Sequence, residues 1–365
     1  MTENNAEQKK EKCESIKNNS EILFIYDAKM CNPNGDPDDE NKPRMDYDRN
    51  INLVSDLRLK RYIRDYLMDY KDKTVFVCKE ERASVNAKTR LASILGVENT
   101  PKINITEEQV NKFLDVAIDV KMFGGIIPDV KFKEGKANVT FTGPIQFNWG
   151  YSLNKVTGPM DSSGITSHFH TGKQSEEEES TKGTGAMGKD YRLPYSLIAF
   201  HGIISAKRAE HTCLINKDIK LFDEAMIKAI PLEATTRSKK GQNPLLYLRI
   251  EYVDNEFFFC DLRKYVELSD LKGNEIDFDK AKLSSTKDYK LNLEKLKEKL
   301  ESHKDKIKDI HFWKHQDLET AGFDDLKNGT KWEVKYKENG EEKTREIKFI
   351  ELLKPKEEKQ KDVQW

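Results

Sequence analysis

The stretch C-N-P-N-G-D-P-D-D-E-N-K-P-R-M-D at 31–46, followed by L-V-S-D-L-R-L-K-R-Y-I-R-D-Y-L-M-D-Y at 53–70, decides how the chain is interpreted. Its first part is dense in dipeptides that form turns and expose the backbone: Asn32-Pro33, Asn34-Gly35 and Asp36-Pro37. Its second part has helical periodicity from about Leu53, and Ser55 or Asp56 could cap the start of the helix. The stretch therefore predicts an exposed turn segment that leads into a helix.

The predicted helix has an apolar face and a basic face. The apolar face is formed by Leu59, Ile63, Tyr66, Leu67 and Tyr70. On the opposite face, the arginines recur at every third residue and a lysine lies at the margin: Arg58, Arg61, Arg64 and Lys60. Such a ladder suits a phosphate backbone, because each guanidinium can bind a phosphate bidentately without contacting a base. Taken alone, the helix favours a solvated outer face, since charged faces usually meet only solvent.

Other segments accompany this stretch. The apolar run E-I-L-F-I-Y-D-A-K (21–29) predicts a strand in the middle of a sheet. Two later blocks are F-T-G-P-I-Q-F-N-W-G-Y-S-L-N-K-V (141–156) and M-G-K-D-Y-R-L-P-Y-S-L-I-A-F-H-G-I-I-S-A (187–206). Together with N-P-N-G-D-P (32–37) and the basic helix, they strongly resemble the backbone subunit, of the Cas-seven family, of type I CRISPR surveillance complexes (Cascade). The sequence is most similar to subtype I-B, and the resemblance covers most of residues 21–250.

The resemblance implies an RNA-binding protein that is not an enzyme. Copies of such a subunit polymerise head-to-tail along a CRISPR RNA (crRNA) and present this guide for pairing with target DNA in antiviral defence. The implied partners are the guide, target DNA through the guide, further copies of the chain, and other Cascade subunits. These are the large subunit, the subunit that holds the 5′ handle of the guide, and the processing endonuclease. No cofactor and no membrane are implied, and this ribonucleoprotein is expected in the cytoplasm.

The fold predicted from the order of elements is α+β. Strand, helix, strands, helix and strand follow one another as in a ferredoxin-like split βαβ unit, and the resemblance implies the same RNA-recognition-motif-like (RRM-like) core around an exposed sheet. We expect a disordered tail at 1–20 and a palm at 21–265, with a helical insertion at about 80–118. A thumb loop is expected at about 154–190, because this long segment lacks periodicity. Residues 266–365 are expected to add a helix and a hairpin.

Several single elements are predicted from local patterns. The capping box formed by Thr106 and Gln109 opens a helix that runs through about Ile118. The other predictions are strands at 75–78, 137–147 and 195–205, helices at 84–95, 218–230 and 289–310, a hairpin of 245–253 with 256–260, and a hairpin of 332–336 with 346–350.

The candidate RNA-binding residues come from the turn segment, the basic helix and two later loops: Asn32, Asn34, Arg44, Arg58, Lys60, Arg61, Arg64, Phe123, Gly124, Gly125, Lys189 and Arg192. The spacing alone predicts that Phe123-Gly124-Gly125 is a helix end that runs into a strand. The resemblance instead favours close approach of this backbone to a phosphate or a base. In the thumb, the resemblance implies a wedge that inserts between bases and kinks the guide, formed by Met160, Phe169 or Met187.

Composition bounds the class of protein. The chain has 365 residues, which is long enough for one large domain or two. Its mean hydropathy of −0.79 is typical of a soluble protein. Its 63 Lys/Arg and 64 Asp/Glu give a net charge of −1, so RNA binding requires positive charge concentrated on one surface. The 5 dispersed cysteines fit a reduced cytosolic compartment. The first twenty residues lack the apolar core of a signal peptide, and no run approaches the ~18 apolar residues of a membrane span.

A zinc site is a weak alternative. Its ligands would be His201, His211 and Cys213, or His168 and His170. No pair among them has finger-like spacing, and no set of four ligands converges. Ordinary surface or core histidines are the simpler interpretation.

Metal-assisted RNA cleavage is a second alternative, because related type III subunits cleave bound RNA with an aspartate near the guide. Asp27, Asp36 and Asp38 lie in the comparable early region, and such chemistry needs an acidic group held beside the scissile phosphate. The turn residues could equally cap a loop. Two rival functions therefore remain: a type III-like guide-dependent RNase, and a generic single-stranded RNA-binding module that forms no array.

Overall fold

The computed structural model describes residues 14–80, 83–84, 86–98, 103–132, 138–160, 163–166, 187–338 and 341–353. Its largest feature is a sheet to which ten strands belong in this part of the chain. In chain order these are Ser20–Cys31 (β1), Met45–Asp46 (β2), Ile51–Val54 (β3), Ile145–Phe147 (β4), Gly150–Ser152 (β5), Leu193–Ile204 (β6), Gln242–Tyr252 (β7), Ile307–Lys314 (β8), Lys331–Glu338 (β9) and Glu341–Glu351 (β10).

The main sheet is mixed. Across it the order is β9-β10-β8-β7-β1-β6-β5-β3-β2, and β4 pairs with β6. β1 lies antiparallel between β6 and β7, and β5 is antiparallel to β6. The pairing of β8 with β10 is parallel. The central position of β1 agrees with its continuous apolar run, because a strand buried on both faces needs no alternation of polar residues.

The helices lie mostly between these strands. Their bounds are Asp56–Asp69 (α1), Ala87–Leu95 (α2), Glu107–Val116 (α3), Ile118–Phe123 (α4), Ala206–Thr212 (α5), Asn216–Glu233 (α6) and Glu294–Glu301 (α7). Short 3₁₀ helices span Leu262–Tyr265, Thr286–Asp288 and Lys304–Lys306. The α+β prediction is therefore confirmed in its coarser part, a chain that combines helices with a large mixed sheet.

Smaller sheets surround the main one. The core of the helical insertion continues past the predicted end at about 118, to Val120 in α4 and to Ile127. A three-stranded sheet beside its helices contains Ile103–Ile105, Gly124–Phe132 and Asn138–Thr142. A second one combines Glu267–Ser269, Lys290–Asn292 and Thr320–Ala321. Two-stranded pairs join Gly35–Asp36 with Lys42–Pro43, Lys79–Glu80 with Ala83–Ser84, and Ser163–Thr166 with Met187–Asp190.

The two faces of β1 bury different cores. Phe24 and Tyr26 belong to a core that includes the apolar faces of α1 and α6. Leu23 and Ile25 point to the other face, where they belong to a core built largely from residues after 260, such as Leu291. The expectation of an exposed sheet is therefore wrong at its centre, because the C-terminal part of the chain covers the second face.

Local signals for helix starts are confirmed. Ser55 caps α1, and its Oγ accepts a hydrogen bond from the backbone N–H of Arg58. Thr106 and Gln109 form the predicted capping box at the start of α3. The hairpin of 332–336 with 346–350 is also confirmed, as β9 and β10. Each of these features depends on contacts between neighbours in the sequence, which a local pattern can predict.

Three local predictions are wrong. Residues 75–78 form no strand and bend at 76 and 77. Residues 256–260 also form no strand, because β7 is already paired with β1 on one side and β8 on the other. The helix predicted at 289–310 is instead the strand Lys290–Asn292, the short α7 and the first part of β8. Leu291 and Leu293 are both buried at a spacing of two residues, which is the period of a strand.

The cysteines differ from the sequence-based expectation. Cys31, Cys78 and Cys260 are free thiols, and Cys31 is buried. Cys213 is disulfide-bonded. The expectation that all the cysteines are reduced is therefore wrong for Cys213.

Candidate nucleic-acid interface

The turn segment is fastened to the start of α1. The side-chain oxygen of Asn34 accepts hydrogen bonds from the backbone N–H and the hydroxyl of Ser55, at 2.8 and 2.9 Å. The buried Asn32 donates its side-chain amide to the carbonyl of Asn41 at 2.7 Å. These amides hold the 32–44 backbone against the helix, so their direct role in the structure is to position neighbouring groups.

Most of the predicted cationic ligands form ion pairs inside the chain. The pairs and their N···O distances are Arg44–Asp36 (2.9 Å), Lys60–Asp56 (3.0 Å), Arg61–Asp65 (2.6 Å), Arg64–Asp119 (2.9 Å), Lys189–Glu40 (2.6 Å) and Arg192–Asp190 (2.8 Å). A phosphate that approaches any of these cations must compete with a carboxylate. Six of the seven predicted cationic ligands are thus paired with a carboxylate within the chain.

The ladder predicted on α1 is wrong in its geometry. Arg64 is only 8% exposed, and its Nε donates to Asp119, which is fully buried on α4. Asp119 also accepts the backbone N–H groups of Phe76 and Val77, at 2.7 and 3.0 Å. The helical insertion therefore packs on the side of α1 that the helical wheel assigned to solvent.

Lys60 is buried on the same side of α1. Its Nζ donates to Asp56 and to the side chain of Gln146, at 3.0 and 2.9 Å. Its position at the margin of an exposed face is therefore also wrong. Two of the four predicted cations of α1 stabilise the fold in this structure.

Arg58 is different from the other cations. It is half-buried, and its guanidinium lies 4.0 Å from the centroid of the Tyr62 ring, which is a cation–π contact. Within the described residues it forms no ion pair, and its Nε has no hydrogen-bond partner. Tyr62 thus holds Arg58 in place, and no carboxylate of the described residues neutralises the charge of its guanidinium.

The Phe123-Gly124-Gly125 segment is a helix end that runs into a strand. α4 ends at Phe123, and Gly124 begins the next strand with a φ of +78°. A Cβ at Gly124 would lie 2.3 Å from the carbonyl oxygen of Phe141, so this position requires glycine. Phe123 is buried against Phe222. The interpretation from spacing, a helix end that runs into a strand, is therefore confirmed, whereas close approach of this backbone to a phosphate or a base stays a prediction.

The predicted thumb begins and ends in an antiparallel pair. Ser163–Thr166 pairs with Met187–Asp190, and Thr166 lies opposite Met187. Glu40 in the turn segment accepts hydrogen bonds from Lys189 and Tyr191, each at 2.6 Å, which ties the base of this hairpin to the turn. Met160 is 44% exposed. Phe169 lies outside the described residues, as does the side chain of Met187.

An exposed tryptophan lies next to the turn segment. Trp149 is 46% exposed, and the Arg44 guanidinium lies 5.8 Å from its ring centroid. An exposed indole offers a flat surface on which a base can stack. Sequence reasoning included Trp149 in the 141–156 block but did not select it, because an isolated aromatic in a strand pattern carries no signal of exposure.

Two of the three aspartates considered for catalysis are already engaged, and the third, Asp38, is exposed. Asp36 pairs with Arg44, and Asp27 accepts hydrogen bonds from Asn243 and Tyr195 at 3.1 and 3.3 Å. Burial raises the pKa of Asp27 above its usual value. In the part of the chain that the structure describes, no group of three His, Cys, Asp or Glu side chains is arranged to hold a metal ion.

Two sequence comparisons with known proteins identify one family. The family model of CRISPR-associated protein Cas7 matches residues 18–294. A CRISPR-associated protein Cas7 of Haloferax volcanii is 32% identical over 306 residues, which cover 80% of this chain and 86% of that protein. The chain is also similar to two chains of solved structures. One belongs to a CRISPR RNA-guided surveillance complex, pre-nicking, with 12% identity and a TM-score of 0.48 over 83% of this chain and 95% of that chain. The other belongs to a CRISPR RNA-guided surveillance complex, with 13% identity and a TM-score of 0.43 over 83% of this chain and 94% of that chain. The segment matched by the family model contains every predicted RNA-binding residue.

Proposed function

The chain belongs to the CRISPR-associated Cas7 family, and on this premise we propose that it is a CRISPR RNA-binding backbone subunit of a type I Cascade effector, of subtype I-B. Copies polymerise head-to-tail along the guide and present its bases to target DNA, together with the large subunit, the 5′-handle subunit and the processing endonuclease. The subunit performs no catalysis and needs no cofactor. No helix in the described residues is long and apolar enough to cross a membrane. Within this proposal the complex lies in the cytoplasm.

The observation that carries this proposal is the environment of Arg58. Among the described residues it has no carboxylate partner, it lies on the helix next to the turn segment, and the Tyr62 ring holds its guanidinium in place. A guanidinium with available donors in a half-buried site suits a phosphate. Because most neighbouring cations are already paired, each copy binds the guide through few contacts. Tight binding then depends on many linked copies along one RNA.

We also propose an RRM-like core, and strand order supports it. β7-β1-β6-β5 gives the order of the ferredoxin-like split βαβ unit, with α1 between β1 and β5 in the chain and α6 between β6 and β7. An RRM binds RNA on the face of its sheet, but here the residues after 260 cover that face at β1. The guide therefore follows the turn segment, the start of α1 and the exposed ring of Trp149.

The thumb is the second element of this proposal. The paired base at 163–166 and 187–190 is fixed to the turn segment through Glu40. Within this proposal the thumb contacts the neighbouring copy, and its wedge is one of Met160, Phe169 and Met187. Lys189 and Arg192 face the guide only after they exchange a carboxylate for a phosphate, because both form ion pairs in the isolated subunit.

Replacing Arg58 by glutamine should weaken binding of single-stranded RNA by about tenfold to hundredfold, because one charge-assisted contact is worth about 1.5–3 kcal/mol. Arg61→Gln is the matched control, because Arg61 lies on the same helix and is already paired with Asp65. Fluorescence anisotropy at several salt concentrations measures both variants. The slope of log Kd against log salt should fall by about 0.7 for Arg58→Gln alone.

The outcomes of this experiment have distinct meanings. If the unmodified chain binds no RNA, the proposed function is wrong. If it binds RNA but Arg58→Gln and Arg61→Gln behave alike, Arg58 is not the phosphate ligand, although RNA binding itself stands.

Incubation of the guide-loaded subunit with complementary RNA and Mg²⁺ should leave that RNA intact, because Asp36 is held by Arg44 at 2.9 Å and is not positioned as a metal ligand. The products are resolved on a denaturing gel. A regular ladder of fragments that disappears in the Asp36→Asn variant would instead support the type III-like RNase.

A further inference from the structure

A second cation without a carboxylate lies beside Arg58, in the loop that joins α6 to β7. Lys239 and Lys240 are consecutive in this loop, and the backbone N–H groups of both donate to the carbonyl of Thr236 at 2.9 Å. The loop is docked on the end of β1, where the N–H of Asn32 donates to the carbonyl of Ser238 at 2.8 Å. Gly241 has a φ of +115°, and a Cβ there would lie 2.3 Å from the Lys29 carbonyl oxygen. The backbone of this loop is therefore well determined.

A chain of contacts connects Lys239 to Arg58. Lys239 Nζ donates to the carbonyl of Asn32 at 2.7 Å. The side-chain amide of the buried Gln242 donates to the carbonyl of Lys239 at 2.8 Å and to the hydroxyl of Tyr62 at 3.0 Å. The ring of Tyr62 in turn supports Arg58. The two cations thus stand on one fixed platform made by β1, α1 and β7.

In the described part of the chain, no carboxylate is among the groups that act electrostatically on the Lys239 ammonium. The groups that act on its ammonium are Arg58 on α1 and the Cys31 thiol on β1, and burial raises the pKa of that thiol to about 12, so it is neutral. Burial also raises the pKa of the Tyr62 phenol. No carboxylate of the described residues forms an ion pair with Lys239. Burial first, and the charge of Arg58 second, lower the pKa of Lys239 to about 8.

We propose that Arg58 and Lys239 together bind one phosphate of the guide RNA, and that binding draws a proton onto Lys239. The proposal rests on the proposed function and names a ligand within the same interface. The planar guanidinium supplies paired N–H donors, and the ammonium supplies a point charge on the other side of the phosphate. An anion between them offsets both the burial of Lys239 and its repulsion from Arg58. The bound state therefore favours the charged amine.

The sign of the pH dependence follows from this linkage. Free Lys239 loses its proton as the pH rises through about 8, whereas the phosphate-bound amine keeps it to higher pH. RNA affinity should therefore decrease as the pH rises from 7 to 9, by up to about tenfold, because only about a tenth of the free protein is protonated one unit above the pKa. Lys239→Arg, whose guanidinium stays charged, should retain affinity at pH 7 and show a flat profile.

The experiment uses the full-length chain and a labelled adenine-only RNA, whose bases do not titrate between pH 7 and 9.5. Lys239→Met should weaken binding about tenfold at pH 7 and lower the salt slope by about 0.7. Lys240→Met is the matched control, because Lys240 is the exposed neighbour of Lys239 in the same turn. This variant should leave Kd within about twofold. Thermal melting checks that each variant is folded.

Each outcome decides one point. If the unmodified chain binds RNA but Lys239→Met and Lys240→Met have equal effects, the phosphate site is wrong while the proposed function stands. If the profiles of the unmodified chain and Lys239→Arg are parallel, proton uptake at Lys239 is wrong. If the unmodified chain binds no RNA at any pH, the proposed function itself fails.

Discussion

Replacing Arg64 by alanine should lower the free energy of unfolding by about 3–5 kcal/mol, because it leaves the buried carboxylate of Asp119 without its cation. Asp119 is completely inaccessible, and two backbone N–H groups alone must then hold its charge. The contact also links the helical insertion to α1, so its loss loosens both elements. Urea denaturation followed by circular dichroism measures the change.

The control for this prediction is Arg61→Ala. Arg61 lies one turn earlier on α1 and pairs with Asp65 at the surface, so its loss should cost only about 0.3–0.5 kcal/mol. The double variant Arg64→Met with Asp119→Asn should recover part of the stability, because the uncompensated charge is gone and the amide oxygen still accepts from one of the two N–H groups. Equal, small effects of Arg64→Ala and Arg61→Ala would restore the interpretation of α1 as a solvent-facing ladder.

The burial of Arg64 is a feature of the site that the sequence does not predict. The helical wheel correctly places Leu59, Ile63 and Leu67 on a buried side of α1, although Tyr70 at the C-cap is exposed. Ser55 correctly predicts the start of the helix, because capping depends on contacts within a few residues. The partner of Arg64 is 55 positions away, on a helix of the insertion. No periodicity within α1 contains this information, and only the packing of the insertion turns an exposed arginine into a buried one.

The missed secondary structure has a similar cause. Residues 289–310 are rich in Lys, Glu and Leu, which favour a helix locally, but their first part pairs with Glu267–Ser269 and their last part begins β8. Sheet pairing supplies backbone hydrogen bonds that a local propensity cannot anticipate. Residues after 265 thereby extend the main sheet through β8, β9 and β10 and bury its second face.

The candidate interface was predictable only in part. Arg58 belongs to the stretch that carries the family resemblance, whereas Lys239 lies in a polar loop about 180 residues later in the chain. Closing the sheet with β7 beside β1 brings that loop to the turn segment. A run such as T-T-R-S-K-K-G, at 235–241, is typical of any exposed connection. What distinguishes Lys239 from Lys240 is hydrogen bonding and burial, and these exist only in the folded chain.

Replacing residues 167–186 by Asn-Gly should leave a folded subunit that no longer assembles a uniform array on a long guide. The change is compatible with the fold, because Thr166 lies opposite Met187 and a two-residue turn closes such a pair. The anchors of the hairpin base, Glu40 with Lys189 and Tyr191, are retained. We therefore expect an unchanged melting temperature and unchanged affinity for an RNA long enough for one copy.

Assembly should fail because the excised segment is the part of each copy that we propose to reach its neighbour. Head-to-tail contacts convert weak single-site binding into cooperative binding along one RNA, and without them the copies bind at irregular intervals. Native mass spectrometry of the reconstituted complex should show a broad distribution of stoichiometries, and nuclease should cut the guide between copies. A Gly/Ser linker of the same length as 167–186 is the matched control: if it behaves like the Asn-Gly variant, the sequence of the segment matters and not merely its length. Uniform stoichiometry and full nuclease protection with the Asn-Gly variant would show that the contacts between copies lie elsewhere on the chain.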